Sequence, residues 1–191
     1  GIDFKRTFTI FAYALMGKKQ GGSTITQQLA LNLFSEEGRQ RNYLKRIIQK
    51  FQEWVIAVKL ERNYTKEEII TMYLNTVDFG NQAYGIKSAA RVYFNTTPDK
   101  LSVPQAAVLV GILKGITRYS PTRNPERALE RRNTIMALMV RANFLSEQDF
   151  EIAKEKPLNL HYSAANSNDG IAPYFRAVLK SDVRTILEER S

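Results

Sequence analysis

Two short stretches of this chain bring together residue types that do chemistry. The first is Gly21–Gln28, which reads GGSTITQQ. Its paired glycines let backbone come close to a ligand. Ser23, Thr24, Thr26, Gln27 and Gln28 supply uncharged donors. Thr24-x-x-Gln27 has the capping-box spacing that opens a helix, and a helix start offers free N–H groups at the positive end of its dipole. Such a start cradles a phosphate or an oxyanion. An ordinary capped helix uses the same residues, and for Gly-Gly-Ser-Thr alone that plainer reading is preferred. The second stretch places Gln49, Lys50 and Glu53 on one helix face. A carboxylate next to a cation, with Phe51 and Trp54 beside it in sequence to lower the dielectric, is a tuned acid or base. A solvated Lys–Glu pair is the more common use of that spacing and stabilises little.

The elements that must position these groups are helical. The chain has 191 residues, 43% of them hydrophobic, enough for one domain with a core of its own. Phe4–Met16 and Thr24–Phe34 read as helices, with Gly21 and Gly22 breaking the chain between them. Ser35–Arg41 is polar and holds Gly38, the pattern of a loop. Tyr43–Glu61 is the strongest helix, its apolar residues Ile47, Phe51, Trp54, Val55, Val58 and Leu60 at helical spacing. Thr65-x-x-Glu68 opens another that ends near Asn75. After a turn-rich loop with Gly80 and Gly85, the pattern predicts helices over Tyr84–Phe94, with Ala89 and Ala90 at a packing contact, and over Val103–Leu113, apolar and buried. Further helices follow over Pro125–Ala142, with Pro in its first turn, and over Ser146–Lys154. From Pro157 the composition turns small and polar: His161–Gly170 reads as linker, and Ile171–Arg190 as a further helix. Strand patterns are weak, so the class is mainly α.

Composition narrows the chemistry. There is no cysteine, which excludes disulfides, thiolate zinc sites and a cysteine nucleophile. The one histidine, His161, lies in the polar stretch and is assigned no role. The net charge is +9, and seven Lys or Arg (Arg39, Arg41, Lys45, Arg46, Lys50, Lys59, Arg62) lie between Arg39 and Arg62 against Glu53 and Glu61. A basic stripe of this kind suits a polyanion such as nucleic acid, anionic lipid or a diphosphate, although charge alone is equally a solvated helix face. The longest apolar run, Phe8–Met16, is shorter than the about 20 residues that span a bilayer, so a membrane anchor is expected outside this chain.

GGSTITQQLALNLF resembles, almost residue for residue, the second signature motif of family 51 glycosyltransferases, the peptidoglycan glycosyltransferase domains of class A penicillin-binding proteins. Lys50-Phe51-Gln52-Glu53 resembles the third motif, with Gln49 where a basic residue is usual. Ile69–Gly85 resembles the fourth through Tyr73-Leu74-Asn75, Gly80, Tyr84 and Gly85, and departs from it at Thr71 and Asp78. Val103–Pro121 resembles the fifth through Lys114, Tyr119 and Pro121, with Leu113, Gly115 and Ile116 altered around the Lys. Leu31 stands where the family commonly carries Lys, a charge that Arg39 or Lys45 would have to replace. Gly1-Ile2-Asp3 matches the tail of the first motif, so the general-base Glu of that motif is expected just upstream of Gly1, and residues 1–191 alone are expected to polymerise poorly.

The resemblance implies a mainly α, lysozyme-like glycosyltransferase domain over residues 1–157, followed by a linker and the start of another region over 158–191. It implies Glu53 as a catalytic-site carboxylate, and Ser23, Thr24, Gln27, Gln28, Lys50, Lys45, Tyr84 and Lys114 as substrate contacts. No cofactor is obligatory; a divalent cation, Mg²⁺ or Mn²⁺, is admitted at the diphosphate. The implied partners are lipid II and the nascent glycan chain, the membrane surface at the outer, periplasmic face of the cytoplasmic membrane, moenomycin-type inhibitors and a covalently linked transpeptidase, with no nucleic acid. Three alternatives remain: a lytic glycan-cleaving enzyme of the same fold class, a catalytically dead scaffold, and a basic helical nucleic-acid module, which GGSTITQQ argues against.

Overall fold

The computed structural model describes residues 23–34 and 42–162. The expected Phe4–Met16 helix, the Gly21-Gly22 break, the Ser35–Arg41 loop and the Ile171–Arg190 helix lie outside the described residues, as does the linker beyond Tyr162. Seven α-helices are described: α1 (Ile25–Phe34), α2 (Tyr43–Asn63), α3 (Lys66–Thr76), α4 (Ile86–Phe94), α5 (Val103–Ile112), α6 (Pro125–Arg141) and α7 (Glu147–Lys154), with a 3-10 turn at Pro98–Lys100. Among the described residues the β pairing is a single antiparallel bridge between Asp78 and Tyr84. The mainly α class expected from the sequence holds.

Caps explain where most helices start. Thr65 and Glu68 close both arms of a capping box, Thr65 N–H donating to Glu68 Oε2 at 2.8 Å and Glu68 N–H to Thr65 Oγ1 at 3.2 Å. Ser102 and Gln105 do the same at α5, a box the apolar pattern did not reveal. Pro125 opens α6, and Ser146 Oγ accepts from Asp149 N–H at 3.0 Å to open α7. The helix predicted to begin at Tyr84 begins instead at Ile86. Gly85, at φ +78°, is its N-cap, and Tyr84 lies in the extended bridge before it. A Cβ at Gly85 would stand 2.5 Å from the Asn75 carbonyl oxygen, so only glycine lets the α3–α4 loop close here. The α5 helix is not buried all round, because Val110 is half-exposed while Ala107, Val108, Leu109 and Ile112 are buried.

Among the described residues the core is built in three patches. Leu29 and Ala30 of α1 meet Leu60 of α2 and Ile69 and Tyr73 of α3. Phe79 and Ala83 of the loop meet Ala89, Val92, Tyr93 and Phe94 of α4 and Val108, Leu109 and Ile112 of α5. Leu74, Val77 and Leu113 pack against both patches and join them. Ala107 of α5 meets Ile135 and Met136 of α6 and Ala153 of α7. The predicted Ala89-Ala90 packing contact is fully buried. Beyond Pro157 the chain still lies on the core: Leu158 and Leu160 pack against the α4–α5 patch, and His161 N–H donates to the Tyr93 carbonyl at 3.0 Å. No described helix is long and apolar enough to cross a membrane.

Candidate functional site

The site forms where the N-terminus of α1 meets the middle of α2. Thr24 caps α1: Gln27 N–H donates to Thr24 Oγ1 at 3.2 Å, and Thr24 N–H donates to Gln27 Oε1 at 3.3 Å. The capping box read from the sequence is therefore made, and it occupies the Gln27 amide oxygen. Among the described residues, three hydrogen bonds hold α1 and the residues that open it against α2 and α3. Thr26 Oγ1 donates to Glu61 Oε1 of α2 at 2.8 Å, Tyr73 of α3 donates to Gln28 Oε1 at 3.1 Å, and Lys50 Nζ of α2 donates to Ser23 Oγ at 3.1 Å. Burial holds the Tyr73 phenol above its ordinary pKa, so it remains a donor to Gln28.

Lys50 faces two ways. Besides Ser23, its ammonium is ion-paired with Glu53 Oε2. The Glu53 side chain is only 3% exposed, against 38% for Lys50. Its other oxygen, Oε1, takes no hydrogen bond among the described residues; Arg46 Nη1 stands 3.9 Å from it. Arg46 is itself fixed by Gln49, donating to Oε1 at 2.8 Å. Positions 46, 49, 50 and 53 thus form one stripe along α2, at i, i+3, i+4 and i+7. A buried carboxylate beside two cations and a helix N-terminus is an arrangement that holds an anion and shapes charge at a reacting centre.

The structure gathers Ser23, Thr24, Gln27, Gln28, Lys50 and Glu53 from the predicted site. It leaves Lys45 exposed in the first turn of α2, Tyr84 67% exposed in the α3–α4 loop, and Lys114 exposed after α5. Among the described residues no hydrogen bond or ion pair joins these three to Glu53. Leu113, next to Lys114, packs on the α1–α3 patch, so the end of α5 lies on the same side of the fold as α1. Phe51 does not screen Glu53: it is 52% exposed and lines a shallow apolar hollow with Gln52, Val55 and Ile56 on another face of α2. Arg46, counted in the sequence only as part of a basic stripe, is a further residue the structure places beside Glu53. Its spacing of seven residues from Glu53 was the available signal.

A sequence profile of the family described as transglycosylase matches residues 1–140. The chain belongs to the transglycosylase family. This transglycosylase chain is 38% identical over 164 residues to penicillin-binding protein 1F of Bacillus subtilis, covering 86% of this chain and 22% of that protein. It is 35% identical over 185 residues to penicillin-binding protein 1A of Pseudomonas aeruginosa, covering 96% of this chain and 22% of that protein. It also resembles the crystal structure of penicillin-binding protein 1A from Haemophilus influenzae, with a TM-score of 0.51 and 25% identity over 63% of this chain and 18% of that one. The chain thus spans 22% of the length of each of these two curated relatives. The family expected from GGSTITQQ is the family found.

Proposed function

We propose that this transglycosylase domain is a peptidoglycan glycosyltransferase that joins lipid II units into β-1,4 glycan and releases undecaprenyl diphosphate. The observation that carries the reading is Lys50, which bridges Ser23 at the N-terminus of α1 and the buried Glu53 of α2. A cation held at a helix N-terminus is a seat for a diphosphate. In the proposed reaction the acceptor 4-hydroxyl attacks the anomeric carbon of the growing chain. The new C–O bond forms as the bond to the diphosphate breaks, and the centre inverts. The hydroxyl proton passes to a carboxylate base, while Lys50 and the α1 N–H groups meet the charge that develops on the leaving diphosphate. Glu53, already paired with Lys50, belongs to the leaving-group side, where it fixes the ammonium in place. The base is a separate carboxylate.

A protein-held divalent cation does not fit the donor set around Glu53. Its carboxylate is shared by Lys50 and lies 3.9 Å from Arg46, two positive charges that repel a third. Among the described residues no group of three or more His, Asp or Glu could hold a metal ion.

We further propose a parent that carries a linked transpeptidase, in keeping with relatives named penicillin-binding proteins, and that works at the outer face of the cytoplasmic membrane on lipid II and the nascent glycan chain, with moenomycin-type compounds as its inhibitors. The test is turnover of purified lipid II by the protein that carries this domain, beside the same assay on preformed polymeric glycan. Polymer made from lipid II, lost in Lys50→Met and Glu53→Gln, supports the reading. Cleavage of glycan without consumption of lipid II replaces it with a lytic enzyme.

A further inference from the structure

We infer that Tyr73 of α3 is a positioning residue of this site: its hydroxyl turns the Gln28 amide so that an N–H of Gln28 donates to an oxygen of the lipid-linked substrate. This rests on the glycosyltransferase reading proposed above and deepens it, giving Gln28 one hydrogen-bonding sense and Tyr73 the task of fixing it. An amide side chain can present either its oxygen or its nitrogen to a ligand, and its neighbours decide which. At Gln28 two neighbours decide it the same way. The Tyr73 hydroxyl donates to Gln28 Oε1 at 3.1 Å, and among the described residues that oxygen is its acceptor. The nitrogen, Nε2, lies 3.5 Å from the Ser23 carbonyl oxygen. Turning the amide over would set two oxygens against each other at Ser23 and leave the phenol proton without an acceptor.

The two neighbours are not equal. At 3.5 Å the contact to Ser23 is too long to hold the amide by itself. Tyr73 is 5% exposed, packed with Leu29, Ala30, Leu60 and Ile69, and burial keeps the proton on its hydroxyl. A fixed, protonated donor thus sets the angle of an exposed amide. A phenylalanine would fill the same apolar patch; what the hydroxyl adds is the bond to Gln28. The amide nitrogen carries two hydrogens. The Ser23 carbonyl engages one, and among the described residues the other has no acceptor. Its side of the amide faces Ser23, whose Oγ accepts from Lys50 at 3.1 Å, so the donor stands at the same end of α1 as the Lys50 ammonium. Tyr73 belongs to Tyr73-Leu74-Asn75, a stretch that the reaction proposed above leaves without a task.

The experiment is a double-mutant cycle in lipid II turnover on the protein that carries this domain: wild type, Tyr73→Phe, Gln28→Ala and the two together. Tyr73→Phe is expected to lower kcat/KM about threefold to tenfold, the range for one neutral hydrogen bond, with KM carrying most of the change. Gln28→Ala is expected to lose more, and Tyr73→Phe added to it to lose nothing further, because the hydroxyl acts through that amide. Gln28→Glu keeps an oxygen for Tyr73 but has no N–H, and is expected to be at least as impaired as Gln28→Ala. Thr76→Val removes an α3 hydroxyl that bonds to the carbonyls of its own helix, and is expected to change neither kcat nor KM. Wild-type kinetics in Tyr73→Phe would overturn the assignment, and so would losses that add in the double variant. Full activity in Gln28→Glu, an exposed position that leaves the core untouched, would overturn the donor role even if Tyr73→Phe failed to fold. A wild-type protein that consumes no lipid II would overturn the glycosyltransferase reading itself, and the assignment with it.

Discussion

Lys50 shows how one side chain can serve both structure and chemistry. It is half-exposed, so it can reach a ligand, and its ammonium is held by Ser23, just before α1, and by a glutamate of its own helix. The Lys50–Glu53 pair was legible in the sequence because i,i+3 spacing on a helix needs no tertiary knowledge. Arg46 was not picked out, because seven residues on a basic helix hold many such pairings and only packing selects one. Gln27 and Gln28 were legible as polar residues but not in their partners, since Tyr73 is 45 residues away. Elsewhere the fold protects a phenol. Burial pushes Tyr93 up to about 12 from 10.0, and its hydroxyl donates to the Phe79 carbonyl at 2.8 Å. The unfolded chain ionises near pH 10 while the folded one keeps the proton, so this stabilisation is complete below pH 10 and is lost as pH rises towards 12. Denaturation curves of the wild type should move to lower urea between pH 10 and 12, and Tyr93→Phe should move less over the same interval.

At the level of elements, the helices were readable where a cap or a proline marks them. Thr24/Gln27, Thr65/Glu68 and Pro125 each predicted a start that the structure bears out. The start of α4 was misplaced at Tyr84 because a positive φ leaves no trace in hydrophobic periodicity. Gly85 takes that conformation and packs against Asn75. Gly85→Ala combines a left-handed backbone with a Cβ 2.5 Å from a carbonyl oxygen, neither of which the α3–α4 loop can relieve cheaply. A loss of more than about 2 kcal/mol is expected, read as a shift in the urea midpoint at constant slope. Thr24→Ala removes one arm of the α1 cap and is expected to cost about 1 kcal/mol. A stability unchanged in either variant would mean that the loop or the cap contributes nothing.

For the molecule as a whole, the chain closes on itself through an arginine that no motif announced. Arg132 of α6 is 1% exposed. It donates to the carbonyls of Lys154 at 2.9 Å, Lys156 at 2.7 Å and Pro157 at 3.2 Å, holding the C-terminus of α7 and the segment beyond it against α6. Arg132→Met leaves these acceptors without their donor and is expected to cost about 3 kcal/mol while leaving diphosphate binding intact in the folded fraction. This clamp was invisible in the sequence because a buried Arg reads like a surface one until its partners, more than twenty residues away, are known. The site stands apart from it, at the meeting of α1 and α2, where we propose that Lys50, fixed in place by Glu53, meets the leaving diphosphate. The most direct test is consumption of fluorescent lipid II by the protein that carries this domain, wild type beside Glu53→Gln. Moenomycin-sensitive polymer from the wild type and a rate at least about a hundredfold lower in Glu53→Gln are predicted; equal rates in the two proteins would contradict the claim.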